Sequence, residues 1–224
     1  MWSLMNNQNK TQMVSPEQAL PGRSQAVAIQ GDHTVFGCEL ESYSNLAHHS
    51  KNIQRIIFGM GCFWGAERLF WQSKGVLCTS VGYAGGFTKN PTYREVCTGL
   101  TGHSEVVQVD FNNEDITLKQ LLQLFWERHD PTQEMRQGND VGTQYRSAIY
   151  WTDSSQVAEI EASQKTYQAL LEQGQAPAAQ GNRVYTEIKE LTTYFFAETE
   201  HQQYLHKNPH GYCGLKGTGV KCIW

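Results

Sequence analysis

Cys62 stands in the run Met60-Gly61-Cys62-Phe63-Trp64-Gly65. An apolar stretch with Ile53, Ile56, Ile57 and Phe58 leads into it, and Ala66, Leu69 and Phe70 follow at helical spacing. The pattern predicts strand, tight turn and helix, with the cysteine at or just before the helix N-terminus. Unpaired N–H groups and the positive end of the helix dipole favour a thiolate there. A free cysteine titrates near ~8.5, and such a position can bring it down to roughly 3.5–7.5. The plain alternative is a small buried residue with its two aromatic neighbours in the core. A second candidate is Glu105. In Ser104–Phe111 it alternates onto the face of Val107, Val109 and Phe111, opposite Val106, Gln108 and Asp110. It either frays into solvent at the strand's start or is buried. In the second case burial disfavours its charge, leaving a neutral carboxylic acid able to give up a proton. The third feature is a pair of cysteines, Cys213 and Cys222, on a glycine-rich tail that also carries Lys216 and Lys221. The glycines predict a mobile tail, and the lysines favour a thiolate at either cysteine.

The elements that must position these groups read as follows. Residues 1–50 form a mostly irregular extension, with a short helix from Ser15-Pro16-Glu17 to Leu20. Strands are expected near Ile53–Phe58, Val76–Val81, Ser104–Phe111, Arg146–Trp151, Val184–Glu190 and Tyr194–Phe196. Helices are expected after Cys62, over Thr117–His129 from a Thr117-to-Gln120 capping box, from Asp153 to Gly174, and over Glu198–Leu205. Residues 87–103 read as an ordered loop. Residues 51–198 are therefore read as one catalytic α/β (α+β) domain, and 199–224 as a coil carrying two cysteines.

At 224 residues the chain can bury a core without staples. A net charge of −4 without a basic run argues against nucleic acid as a partner. No segment approaches about 18 apolar residues, so no membrane span is expected. The polar stretch Met1–Val14 has no signal-like apolar core, and a cytoplasmic location is expected. Six cysteines in a reducing compartment point to catalysis, metal binding or inert thiols rather than a disulfide set. Cys38 is expected to have no catalytic role, Cys78 to be core, and Cys97 to be incidental.

A thiolate paired with an acid, without a histidine base, points to redox chemistry. The cysteine becomes a sulfenic acid, a mobile second cysteine condenses with it, and a third moves the disulfide outward. Five blocks then carry a resemblance: Gly61-Cys62-Phe63-Trp64-Gly65, Asn90 to Cys97, Gly102-His103-Ser104-Glu105, Gly138 to Ser147, and His201 to Pro209. In this order they resemble the peptide methionine sulfoxide reductase A family. The resemblance implies Cys62 as the nucleophile on the sulfoxide sulfur and Glu105 as the acid on its oxygen. It implies Phe63 and Trp64 as the methyl pocket, Tyr93 and Tyr145 as hydroxyls holding the oxygen, and Asp140 as an orienting carboxylate. Cys213 matches the resolving cysteine, and Cys222 the second recycling cysteine whose disulfide thioredoxin reduces. It further implies no metal or organic cofactor, the S epimer of methionine sulfoxide (free or in proteins) as substrate, and a two-layer sandwich of α-β plait (ferredoxin-like) type; separately, a monomer is expected. Cys213 and Cys222 stand one residue further apart than the family's pattern, which leaves the register of Cys222 open. Two rivals remain: a thiol peroxidase, which has no use for the aromatic pair, and a structural zinc site made by His206, His210, Cys213 and Cys222.

Overall fold

The computed structural model describes residues 10–40 and 52–222. The outer parts of the N-terminal extension and the last two residues of the tail lie outside these. The central sheet has six strands: β1 (Ile53–Met60), β2 (Val76–Ala84), β3 (Ser104–Asn112), β6 (Ser147–Trp151), β7 (Glu187–Glu190) and β8 (Tyr194–Phe196). Their order is β7-β6-β1-β3-β2-β8. All neighbours are antiparallel except β6 and β7, which run parallel. A short hairpin, β4 (Arg136–Gln137) with β5 (Asp140–Val141), stands apart.

The alternation along β1 and β3 decides which side is covered. Ile56, Phe58 and Met60 share a face with Val107, Val109 and Phe111, and these belong to the main core. Three helices pack there: α1 (Phe63–Trp71), α3 (Leu118–Arg128) and α4 (Val157–Glu172), bringing Phe70, Phe125, Trp126 and Tyr167. Phe58 stacks on Phe70 and Phe125, with ring centroids 5.0 and 5.2 Å apart. The opposite face holds a smaller cluster around Ile57, Val106, Ala148 and Tyr150. There the Asp110 carboxylate accepts two hydrogen bonds from the Arg55 guanidinium, at 2.7 and 3.0 Å. This bidentate pairing with the partly buried Arg55 keeps the buried Asp110 charge from being orphaned.

Local signals set several boundaries. Thr117 and Gln120 form the expected reciprocal cap, which starts α3. Asp153 caps a short 3₁₀ turn that runs into α4. The sequence overlooked one cap: Thr92 and Glu95 bond each other across the start of the four-residue helix α2 (Tyr93–Val96), inside what reads as a loop. Other expectations need correction. Ser15–Leu20 makes a turn, with the Gln18 and Ala19 amides on the Ser15 carbonyl, not a helix. The helix expected from Glu198 is only α5 (Tyr204–Lys207).

The described arm, residues 10–40, is irregular but pinned. The Thr143 amide donates to the Lys10 carbonyl at 2.7 Å, and the Asn90 side chain reaches the Arg23 carbonyl at 2.9 Å. Cys38 and Cys78 are joined by a disulfide across a sequence separation of 40. This overturns the expectation of thiols without a structural pairing. A crosslink of that span stabilises by about 2–4 kcal/mol, chiefly by restricting the unfolded chain. Cys38→Ser should therefore lower the unfolding free energy from denaturant titration by that amount, and with it the midpoint, relative to oxidised wild type. Identical midpoints would show that the bond contributes nothing.

Candidate active site

The end of β1 and the start of α1 place Cys62. Gly61 adopts φ 86°, and a Cβ there would come within 2.5 Å of the Gln137 side chain, so only glycine fits the turn. Gln137 is itself clamped, with its amide on the backbone N–H and carbonyl of Asp130. Cys62 then occupies the N-cap of α1, half-buried, without a side-chain cap bond. The amides of Trp64 and Gly65 act on its sulfur and pull its pKa down, as a helix N-terminus should. Burial and the nearby carboxylates of Glu105 and Asp140 outweigh them, and the net effect is upward. The expected depression of the Cys62 pKa is thus corrected in this state of the site.

Glu105 lies at the beginning of β3, on the helix-covered face, and is 1% exposed. Its Oε2 accepts the Phe63 N–H at 3.2 Å, while Oε1 is buried with no hydrogen-bond partner. Burial, helped by Asp140, pushes its carboxyl up to about 8. Of the two readings open in the sequence, burial is the one observed, and it disfavours the charged form. Tyr93, on α2, and Tyr145 are half-buried, and burial with the Glu105 charge raises both phenols, so they remain donors. Cys97 lies beside the Tyr93 hydroxyl, at the edge of the site. Asp140, in β5, accepts the Tyr212 hydroxyl at 3.1 Å.

Phe63 is fully buried, and Trp64 is half-buried. The Trp64 indole stacks on Tyr204 at 3.9 Å and donates its N–H to Nδ1 of His201 at 3.2 Å. The His201 ring also packs 4.4 Å from Tyr93 and 5.4 Å from Phe63. Burial lowers its pKa, which matches the neutral acceptor that the indole requires. His33, His103, His129 and His201 are all buried. Glu198 was missed in the sequence. It accepts the Tyr83 hydroxyl at 2.9 Å and the Tyr93 amide at 2.8 Å, fixing α2.

The two tail cysteines have different surroundings. Cys213 lies over the first turn of α1, where a Cβ on Gly65 would come within 2.9 Å of its sulfur. It also lines a polar groove of about 430 Å³ with Gln137, Asn139 and Tyr212, open to solvent. Cys222 is 1% exposed in the main core. Its amide donates to Glu127 of α3 at 2.8 Å, and burial with that carboxylate raises the thiol to about 12. Lys221 pairs with Glu127 at 3.4 Å. The tail is held further by the Tyr167–Thr218 hydroxyl bond and the Ala178 amide on the Thr218 carbonyl. It is packed rather than mobile, and its lysines do not activate Cys222. The zinc reading also loses its geometry. Cys222 is buried against α3, and His206 bonds Thr34 of the arm. Among the described residues no three acidic, histidine or cysteine side chains converge as ligands.

The site thus brings together a thiol, a buried carboxyl with an unused oxygen, two phenol donors, an aromatic wall and a second thiol. A family model described as peptide methionine sulfoxide reductase matches residues 54–221. The peptide methionine sulfoxide reductase MsrA of Vibrio vulnificus is 57% identical over 212 residues, covering 95% of this chain and 97% of that protein. The enzyme of the same name from Pseudomonas aeruginosa is 53% identical over 211 residues, covering 94% of each. The solved methionine sulfoxide reductase A of Corynebacterium diphtheriae superposes with a TM-score of 0.76 at 40% identity, over 90% of this chain and 93% of that one.

Proposed function

The chain belongs to the peptide methionine sulfoxide reductase A family, and from that premise we propose how its own residues reduce the sulfoxide of methionine. The observation that carries the reading is the unpartnered Oε1 of Glu105, buried beside the Cys62 thiol. Cys62 attacks the sulfoxide sulfur while Glu105 delivers its proton to the sulfoxide oxygen. Methionine leaves, and the oxygen remains on Cys62 as a sulfenic acid. A neutral Glu105 serves twice: it supplies the proton, and it no longer opposes a thiolate at Cys62. Once it has given up that proton, the sulfur beside it is a neutral sulfenic acid. Phe63 and Trp64 receive the methyl group, Tyr93 and Tyr145 donate to the oxygen, and Asp140 orients the Tyr212 and Cys213 side of the site.

The Cys213 thiol then condenses with the sulfenic acid, releasing water and forming a Cys62–Cys213 disulfide. Its place over α1 supports that role. Exchange with Cys222 follows, and a dithiol reductant of the thioredoxin type restores the thiols. Because Cys222 is buried against α3, this exchange requires the Thr218–Cys222 segment to leave its bed. Cys213→Ser should release about one methionine per chain without reductant, yet fail to sustain turnover with thioredoxin. Normal recycling by this variant would remove the resolving role. The substrate is the S epimer, free or within proteins. We take the enzyme to act as a monomer, and a thioredoxin-driven cycle fits the cytoplasm.

We also read the scaffold as an α-β plait. The order β6-β1-β3-β2, with α1 between β1 and β2 and α3 between β3 and β6, supports this. β7 and β8 then extend the plait at its edges. In this reading residues 51–198 are the catalytic body, 1–50 an arm, and 199–224 the recycling segment. A thiol peroxidase is less well supported, since peroxide has no methyl group for the Phe63 and Trp64 wall.

A further inference from the structure

We propose that Glu67 is a positioning residue that sets the size of the methyl pocket by clamping the His201–Tyr204 turn against Trp64. This rests on the sulfoxide-reductase reading above and extends it to selectivity among sulfoxides. Glu67 lies in α1 three residues after Trp64 and is 0% exposed. Its Oε2 accepts the backbone N–H of Gln203 at 2.8 Å. Its Oε1 accepts the Gln203 side-chain amide at 2.8 Å and the Thr79 hydroxyl at 3.2 Å. The third donor is arranged from the arm. Nδ1 of His33 accepts the amides of Val35 and Phe36, so Nε2 carries the proton and donates to Thr79 Oγ1 at 2.9 Å. That leaves the Thr79 hydrogen for Glu67. Burial still pushes the Glu67 carboxyl up to about 7, against these donors.

The residue so held is conformationally unusual. Gln203 sits at φ 46°, ψ 40°, a left-handed conformation that is strained for a residue with a side chain. Such a conformation persists only where the surroundings over-determine it. Glu67 does so by bonding both the backbone and the side chain of Gln203. This conformation starts α5 and lays Tyr204 flat on Trp64, while His201 takes the indole N–H. The wall behind Trp64 is therefore fixed through Glu67, although Glu67 itself lies behind the wall.

A glutamine at 67 keeps the shape but offers one acceptor and one donor where three hydrogens arrive. At least one bond to Gln203 or Thr79 is lost, and the turn relaxes. The test compares kcat/KM for methionine S-sulfoxide with that for its S-ethyl homologue, ethionine S-sulfoxide, in wild type and Glu67→Gln. A fitted pocket rejects one extra methylene by about 10-fold or more. In Glu67→Gln that ratio should narrow by about fivefold. Partial unfolding scales both substrates equally and leaves the ratio unmoved, so a purely structural role is distinguishable. An unchanged ratio in a folded variant overturns the proposal. If Glu67→Gln does not fold, Thr79→Val removes one donor and should narrow the ratio about twofold; no change there overturns it as well. If wild type reduces neither sulfoxide, the underlying reading fails, which is a different outcome from reduction with an insensitive ratio.

Discussion

Cys62→Ser should lose methionine sulfoxide reduction by at least about 10⁴-fold, the scale on which removal of a covalent nucleophile is felt. A serine hydroxyl is the weaker nucleophile and has no sulfenic acid to form, so neither the first bond nor the later disulfide is available. The variant should still fold, because Cys62 makes no side-chain cap bond to α1 and the turn is set by Gly61 against Gln137. Reductase assays with dithiothreitol, which bypass the tail, isolate the effect. Activity within tenfold of wild type would move the nucleophile elsewhere, and Cys97, beside Tyr93, would be the next thiol to test.

Glu105→Gln should slow the single-turnover rate by about 10²–10⁴-fold, the usual worth of a placed proton donor. Substrate binding should change far less, since the amide fills the same space and can keep its oxygen on the Phe63 N–H. The pH dependence follows from counting protons on the Cys62–Glu105 pair. The reactive form holds one: a thiolate beside a carboxylic acid. Glu105 is pushed up to about 8 and the Cys62 thiol is raised as well. Below about pH 8 both groups are protonated, so the wild-type rate should fall as pH drops and level off above 8. Glu105→Gln leaves only the thiol to titrate, so its slower rate should keep rising past 8. A variant with the wild-type rate and profile would remove Glu105 from the chemistry.

The local parts of this arrangement are legible in the sequence. The alternation of Val107, Val109 and Phe111 assigns Glu105 its face, and the Thr117–Gln120 cap begins α3 where expected. The Thr92–Glu95 cap of α2 is written in the same way, but four residues give no apolar period to draw attention to it. What the sequence withholds is contact between distant residues. His201 meets Trp64 across 137 positions, and Cys38 meets Cys78 across 40. The titration of Cys62 belongs to the same class. Its helix amides are predictable, whereas Glu105 and Asp140, which oppose them, arrive from β3 and β5. The tail shows the converse error. Its glycines suggest freedom, yet Gly217 packs against the Glu127 carbonyl, and Val220 and Cys222 are buried.

The most direct test is a single-turnover experiment. Fully reduced protein is mixed with excess methionine S-sulfoxide, no reductant is added, and methionine and remaining thiols are counted. The account predicts between about one and two methionines per chain, with loss of at least two thiols and a Cys62–Cys213 or Cys213–Cys222 disulfide in the peptide map. A yield near two would mean that the tail segment leaves its bed and frees Cys62 to react again. No methionine, or methionine released with Cys62 still a free thiol and neither the Cys62–Cys213 nor the Cys213–Cys222 disulfide formed, would contradict the central claim.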